Sequence, residues 1–149
     1  MAAFRLTQLQ ALLKPDIQQL LKRSVESGAL LAPHGFDSVA QDIYNFVADP
    51  TQFMVLGAEK GEMKGVVLGF LPVGNLFPYP TIVLFYNEGS RALSREMQDV
   101  VLDILLEAGY TRMLAVNSSG AKDEVWQRAL TPKGATSEKV GSLYVFEVE

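Results

Sequence analysis

The chain has 149 residues, 48% of them hydrophobic and 20% charged, which is typical of one globular domain with a real core and excludes a disordered protein. Thirteen basic and seventeen acidic residues give a net charge of −4, which argues against a general nucleic-acid or membrane-surface binder. The absence of cysteine excludes disulfides, thiolate zinc sites and cysteine nucleophiles, and a single histidine excludes a His-rich metal cluster.

No stretch of the sequence predicts insertion into a membrane. The first residues lack the apolar segment of a signal peptide, and no apolar run approaches the length that spans a bilayer. We therefore expect a soluble cytoplasmic protein that forms a single domain over residues 1–149, without metal, nucleic-acid or membrane partners.

The first half of the chain predicts a short strand, two helices and an antiparallel hairpin. Proline suits the first turn of the first helix, and Ser38 and Gln41 have the spacing of a capping box at the start of the second. Two strand-like runs then flank Lys60–Gly65, which is a hairpin pattern. The predicted elements are Phe4–Thr7, Pro15–Gly28, Ser38–Asp49, Phe53–Glu59 and Val66–Val73.

The most regular pattern in the chain is a strand–helix–strand unit in its second half. Thr81–Tyr86 is too short for a helix and rich in β-branched and aromatic residues, so it predicts a strand. After the polar turn Asn87–Ser90, apolar residues recur at helical spacing, and Gly109 suits a left-handed C-terminal cap. The run Met113–Val116 closes the unit, which predicts two parallel strands joined by a right-handed crossover. The start of such a helix is a ready-made anion site.

The last part of the chain predicts a short helix over Lys122–Leu130 and a terminal hairpin. The helix carries apolar pairs at i,i+4 spacing. The hairpin consists of Ala135–Val140 and Leu143–Val148, joined at Gly141-Ser142.

This order of elements resembles the GCN5-related N-acetyltransferase (GNAT) fold over nearly the whole chain. Phe53–Glu59 and Val66–Phe70 look like the second and third strands of the family, and Leu114–Asn117 looks like its fifth. Gly141–Val148 looks like its last strand, especially in short phage-encoded members. The resemblance implies an α/β (α+β) fold with a twisted, mixed and mostly antiparallel sheet of about six or seven strands and flanking helices. A parallel strand–helix–strand crossover lies at the centre of this sheet.

The resemblance also implies acetyl-CoA as the cofactor. In that family the cofactor lies between the fourth and fifth strands, where its pantetheine pairs with the fourth strand and its pyrophosphate rests on the following turn and helix start. The matching candidates in this sequence are Phe85, Tyr86, Gly89, Ser90, Arg91, Ala92, Leu93 and Arg95, with Asn117 and Trp126 beside them. For Trp126 the alternative is core packing.

The phosphate loop of the family, Gln/Arg-x-x-Gly-x-Gly/Ala, has no clean copy here. In one alignment Gly89 and Ala92 serve as the small residues with altered spacing. In the other Arg91 takes the first place and Ser94 that of the first glycine, which puts Glu96 where a small residue belongs. The sequence leaves both alignments open.

Two arginines favour an anion at this point. Arg91 and Arg95 lie one turn apart at a helix N-terminus, where cations oppose both the helix dipole and each other. Bound phosphate would remove that conflict. The alternative is that Glu88 and Glu96 neutralise the pair on a solvated surface.

The usual catalytic residues of the family are missing. The family commonly uses a glutamate of the fourth strand as base and a tyrosine of the last helix as acid, and neither is found at those places. Tyr86, Glu88 and Tyr144 remain as substitutes. The alternatives are that both tyrosines are sheet aromatics and that Glu88 is a solvated turn residue.

Four residues are candidates for contact with a substrate or a protein partner. Leu76, Phe77 and Tyr79 belong to a proline-containing loop that suits an acceptor-site lid, an assembly contact in a homo-oligomer or larger particle, or plain packing. His34 lies in a loop, where it faces an acceptor pocket or simply solvent.

Two functions remain in view. The first is an N-acetyltransferase that moves an acetyl group from acetyl-CoA to an unidentified amine, which the preserved crossover and the two arginines favour. The second is a catalytically inactive GNAT-like structural or binding protein, for instance a phage virion component, which the missing glutamate and tyrosine favour. The first is our expectation from the sequence.

Overall fold

The structure of this chain is a computed structural model. In the part of the chain that it describes, periodic apolar residues form five strands and four α-helices. The structure describes residues 2–30, 35–72, 78–116, 122–132, 134–141, 144 and 146–148. The elements are β1 (Ala2–Arg5), a 3-10 helix (Leu9–Leu13), α1 (Pro15–Glu26), α2 (Phe36–Ala48), β2 (Gln52–Glu59), β3 (Glu62–Phe70), β4 (Thr81–Asn87), α3 (Arg91–Glu107), β5 (Leu114–Ala115) and α4 (Asp123–Leu130).

The strands form one sheet in the order β1-β2-β3-β4-β5. The first three pairings are antiparallel and the pairing of β4 with β5 is parallel, which confirms the predicted mixed sheet with a strand–helix–strand crossover. The β2–β3 turn is tighter than predicted, because Lys60 and Gly61 both have positive φ (53° and 79°) and close a two-residue hairpin.

The prediction of six or seven strands is wrong for the described residues, where five are found. The predicted terminal hairpin is not found in the described residues, because none of those between 134 and 148 belongs to a strand. The physical reason is the length of β5. It has two residues, so it offers a neighbouring strand too little edge to pair with, although the apolar alternation of the C-terminal sequence suits a strand.

Helices cover both faces of the sheet. α1 and α2 pack on one face with inward-pointing residues such as Met54, Leu56 and Leu68, and α3 packs on the other with Phe53 and Val55. This alternation along β2 is the pattern of a strand that is buried on both sides. Among the described residues, no helix is long and apolar enough to cross a bilayer.

The four predicted helices are all found in the described residues, and the start of one is corrected. α1 begins at Pro15, and Gly28 follows its end with a φ of 84°. α3 is followed by Gly109 with a φ of 86°, the predicted left-handed cap. The capping box at Ser38 is wrong: α2 already begins at Phe36, so Ser38 lies inside the helix and its hydroxyl donates to the Gly35 carbonyl (2.8 Å).

Glycines bring the first turns of α3 close to the sheet. A Cβ added to Gly65 would lie 2.5 Å from Met97 Sδ, and one added to Gly57 would lie 2.9 Å from Leu93 Cδ1. Leu93 and Met97 are fully buried at these points. The glycines therefore fix how closely the start of α3 lies over β2 and β3.

Candidate functional site

β4 is paired with β3 along its length but with β5 only at its start. Pairing with β3 extends from Thr81 to Asn87, whereas pairing with β5 covers Thr81 and Ile82. The Val116 amide donates to the Ile82 carbonyl (3.1 Å) at the end of this contact. Within the described residues, the edge of β4 from Val83 to Asn87 has no strand beside it.

A β-bulge lies where β4 leaves β5. Leu68 pairs with Leu84 and Gly69 pairs with Ile82, so Val83 is an extra residue opposite neither. A bulge bends its strand and increases the local twist. The bulge at Val83 directly follows Ile82, the last β4 residue that pairs with β5.

The turn from β4 to α3 is short and strongly hydrogen-bonded. Asn87 Oδ1 accepts from the Gly89 amide (2.8 Å), and Asn87 Nδ2 donates to the Ser90 carbonyl (2.9 Å). Ser90 is the N-cap of α3, and its hydroxyl oxygen accepts from the Leu93 amide (3.2 Å). The positive end of this 17-residue helix is therefore held next to the end of the open β4 edge.

A carboxylate from β2 already occupies donors at this helix start. Glu59 Oε2 accepts from the Ser90 hydroxyl (2.6 Å) and from the Ser90 amide (3.2 Å). These two hydrogen bonds, hydroxyl first, hold the pKa of Glu59 below its usual range. Glu59 is 31 positions before Ser90 in the sequence, and no local pattern indicated the contact.

A second carboxylate ties the same turn to α1. Arg23 holds Glu88 with two hydrogen bonds, Nε to Oε2 (2.7 Å) and Nη2 to Oε1 (2.9 Å). The Tyr86 hydroxyl also donates to Glu88 Oε2 (2.8 Å). The guanidinium lowers the pKa of Glu88, while burial and then the bond to Glu88 raise the pKa of Tyr86 to about 12.

Tyr86 and Glu88, the two candidate catalytic residues on β4 and its turn, are both hydrogen-bonded within this network. Glu88 is a weak base, because Arg23 stabilises its ionised form. Tyr86 keeps its proton and packs against the apolar cluster under α1 and α2. Sequence analysis missed Arg23, which is 65 positions from its partner in an otherwise ordinary helix face.

The two arginines at the start of α3 are solvent-exposed. In the described part of the chain the ion pairs are Arg23–Glu88 and Lys64–Glu62, so neither Arg91 nor Arg95 belongs to one. The first turn of α3 contains no acidic residue either. Among the described residues they have no ion-pair partner at the positive end of this helix, although the Glu59 carboxylate lies beside its N-cap.

The remaining cofactor candidates have different surroundings. Phe85 is half-buried against the cluster under α3, and Ala92 is exposed. The Leu93 side chain is fully buried, which leaves no apolar contact for a ligand there. Trp126 is half-buried on α4. Because α3 begins at Arg91, Gly89 lies in the turn and Ala92 in the first helical turn, whereas Ser94 and Glu96 lie inside the helix.

The other candidates have different surroundings, and four of them lie outside the described residues. Tyr144 is 77% exposed in a stretch without strand or helix, so it is not a sheet aromatic, and its ring lies 6.4 Å from that of Phe146. Tyr79 is half-buried, and its carbonyl accepts from the Thr81 hydroxyl (3.2 Å). The predictions for His34, Leu76, Phe77 and Asn117 lie outside the described residues.

The chain has the fold of the GCN5-related N-acetyltransferases, as the order of its elements predicted. A probable acetyltransferase superposes with a TM-score of 0.68 at 15% identity over 100% of this chain and 99% of the other. The ribosomal-protein-alanine N-acetyltransferase from Brucella melitensis biovar Abortus 2308 gives 0.66 at 13% identity, covering 99% and 100%.

A third solved structure of this fold is a ligand complex. AAC(6')-Iy, in complex with the bisubstrate analogue CoA-S-monomethyl-acetylneamine, gives a TM-score of 0.67 at 12% identity over 100% of this chain and 99% of the other. No family model and no curated protein sequence matches the chain. At these identities the comparisons establish the fold, and the function has to be argued from the site.

Proposed function

We propose that this protein is an acyl-CoA-dependent N-acetyltransferase that transfers an acetyl group from acetyl-CoA to an amine. The observation that carries the proposal is the open edge of β4, which begins at the Val83 bulge and ends beside the start of α3. The solved structures named above support it, because two are described as acetyltransferases and the third is bound to a bisubstrate analogue that contains CoA.

The residues at this edge fit the chemical groups of acetyl-CoA. Strand backbone without a neighbouring strand among the described residues offers amides and carbonyls to an extended chain that contains amides, as pantetheine does. Helix-terminal amides and the exposed Arg91 and Arg95 suit phosphate groups. When bound, the cofactor supplies an acyl thioester, and transfer replaces its C–S bond with a C–N bond while one proton passes from the amine to the thiol.

Backbone amides of the open edge are the groups best placed to polarise a thioester carbonyl, because they are fixed by the sheet. Tyr86 and Glu88 bind each other and Arg23, so we assign them to holding the turn in place. An acid or base for proton transfer, if the chain supplies one, then comes from outside this network.

Isothermal titration calorimetry with acetyl-CoA tests the proposal. We expect micromolar binding by the wild-type protein, weakened at least about tenfold in the double variant Arg91→Ala/Arg95→Ala because two phosphate-facing charges are lost. Arg112→Ala is the matched control. It removes an exposed arginine that follows the far end of α3, a helix about 25 Å long.

A second assay tests transfer itself. Release of free thiol from acetyl-CoA should accelerate when a panel of primary amines is added, and the product should contain an N-acetyl group by mass spectrometry. Absence of binding at millimolar acetyl-CoA would contradict the proposal and leave a scaffold with an acetyltransferase fold. Binding without transfer to any amine would leave a cofactor-binding protein and contradict the enzymatic part.

A further inference from the structure

The β4–α3 turn is held by two carboxylates whose environments differ. Glu88 lies against the guanidinium of Arg23, which neutralises it. Glu59 contacts neutral donors, the hydroxyl and amide of Ser90, and takes part in no ion pair among the described residues. The carboxylate therefore brings a negative charge to the head of α3, where its hydrogen bonds with Ser90 outweigh the attraction of Lys60.

Glu59 uses donors of the kind that an anionic ligand would use. A helix N-terminus binds anions through its first amides and the hydroxyl of its cap residue. Here the cap residue is Ser90, and both of its donors point to Glu59 Oε2. A Cβ added to Gly89 would also lie 3.3 Å from that oxygen, so the carboxylate lies directly against the turn.

We propose that Glu59 is a specificity-determining residue of this site, whose carboxylate competes with the phosphates of the acyl donor for the start of α3. The inference rests on the proposed function. It follows that Glu59 has to leave Ser90 when a phosphate binds there. It also follows that Glu59 shifts the preference of the site toward acyl donors with fewer phosphates, compared with the same helix start without this carboxylate.

The side chain is placed so that it can leave. Glu59 is the last residue of β2 and lies partly exposed beside the two-residue hairpin turn. Its loss from Ser90 breaks no ion pair and uncovers no core residue among those described. Electrostatic repulsion adds to the competition, because a carboxylate that stays in place would face a pyrophosphate at hydrogen-bond distance.

The test compares Glu59→Gln with wild type by calorimetry against CoA and against S-acetyl-pantetheine, which lacks the nucleotide and pyrophosphate. Glutamine keeps the shape and one acceptor oxygen but removes the charge. We expect the Kd for CoA to fall about threefold to tenfold, as removal of one repelling charge at a helix start predicts, with no change for S-acetyl-pantetheine.

Glu62→Gln is the matched control. It removes the same charge from the same hairpin, but Glu62 pairs with Lys64 and is 70% exposed. Its CoA affinity should equal that of wild type. Thermal unfolding without ligand adds a second readout: Glu59→Gln should lower the Tm, since the charged acceptor of Ser90 is lost, even as it tightens CoA binding.

The direction in which the affinity for CoA changes in Glu59→Gln decides whether Glu59 competes with phosphate. Equal or weaker CoA binding by Glu59→Gln would overturn the inference and make Glu59 a support of the turn. The same tightening for S-acetyl-pantetheine would also overturn it, because no phosphate is involved there. Binding of CoA by Glu59→Gln, with no measurable binding by wild type, would support the inference strongly. Failure of both proteins to bind at millimolar CoA would refute the proposed function and this inference together, whereas wild-type binding unchanged in the variant refutes the inference only.

Discussion

Glu88 is the residue whose charge state most affects the candidate site. Arg23 and Tyr86 both donate to its carboxylate, so its pKa is lowered in the folded protein. A lowered folded-state pKa gives stability that is fully present above the unfolded pKa, near 4.5, and is lost as the pH falls through the folded value. The ion pair is therefore a source of stability at neutral pH that acid removes.

We predict that Glu88→Gln lowers the free energy of unfolding at pH 7 by no more than about 1 kcal/mol, since the pair is partly screened by solvent. Urea unfolding at pH 7 and at about pH 3, below the usual range of glutamate, measures this. The gap between wild type and variant should narrow at the acid pH. Glu107→Gln, an exposed change at the other end of α3, should show no gap at either pH. A gap of equal size at both pH values would mean that shape, rather than charge, matters at Glu88.

Ser90 is the second residue on which the turn depends. Its hydroxyl oxygen caps the Leu93 amide, and its hydrogen goes to Glu59. We expect Ser90→Ala to cost about 0.5–2 kcal/mol of unfolding free energy in urea, the usual loss for an N-cap. Ser94→Ala, one turn further into α3, is the control and should change little. Equal losses at both positions would show that Ser90 does not act as a cap.

At the scale of elements, the spacing of apolar and turn residues predicted those helices and turns that depend on residues close together in the sequence. The helix stripe from Leu93 to Leu105, the stop at Gly109 and the antiparallel β2–β3 hairpin all follow from spacing and turn residues within about twenty positions. The bulge at Val83 does not, because it is a mismatch between two strands and neither strand encodes it alone.

The contact of α3 with the sheet gives a prediction at the same scale. Gly65→Ala would place a methyl group 2.5 Å from Met97 Sδ, so the helix or the side chain must shift. We expect a loss of about 1–3 kcal/mol in urea unfolding, the range for overpacked cores. Gly141→Ala, where the added Cβ meets no atom within 4 Å, is the control and should have little effect.

A double-mutant cycle identifies the cause. Met97→Ala leaves a cavity next to Gly65, and the added methyl of Gly65→Ala fills part of it. The double variant should therefore be more stable than the sum of the two single losses predicts. Simple additivity would mean that Gly65→Ala acts through the backbone rather than through Met97.

At the scale of the whole molecule, the sequence predicted the fold but not the electrostatics around the start of α3. The element order was enough to place the helix start beside the end of β4. The two ion and hydrogen-bond pairs that define the turn, Arg23 with Glu88 and Glu59 with Ser90, join residues 65 and 31 positions apart. Such pairs depend on the three-dimensional arrangement of α1, β2 and α3, and no spacing rule contains that information.

A ligand that binds only the folded chain must stabilise all of it, which makes thermal unfolding a test of the site as part of the whole domain. At a concentration one hundred times its Kd, acetyl-CoA should add about 2.7 kcal/mol. For a domain of this size that corresponds to a rise in Tm of about 5–10 °C, measured by scanning fluorimetry.

The phosphate end of the ligand can be tested separately. Adenosine 3',5'-bisphosphate, which has phosphates but no pantetheine, should raise the Tm less than acetyl-CoA, because it leaves the open edge of β4 without a partner. Arg91→Ala/Arg95→Ala should reduce both shifts, whereas Arg112→Ala should preserve them. If the double variant responded to acetyl-CoA as wild type does, the ligand would bind away from the start of α3, and the open edge of β4 would lose its assignment as the cofactor site.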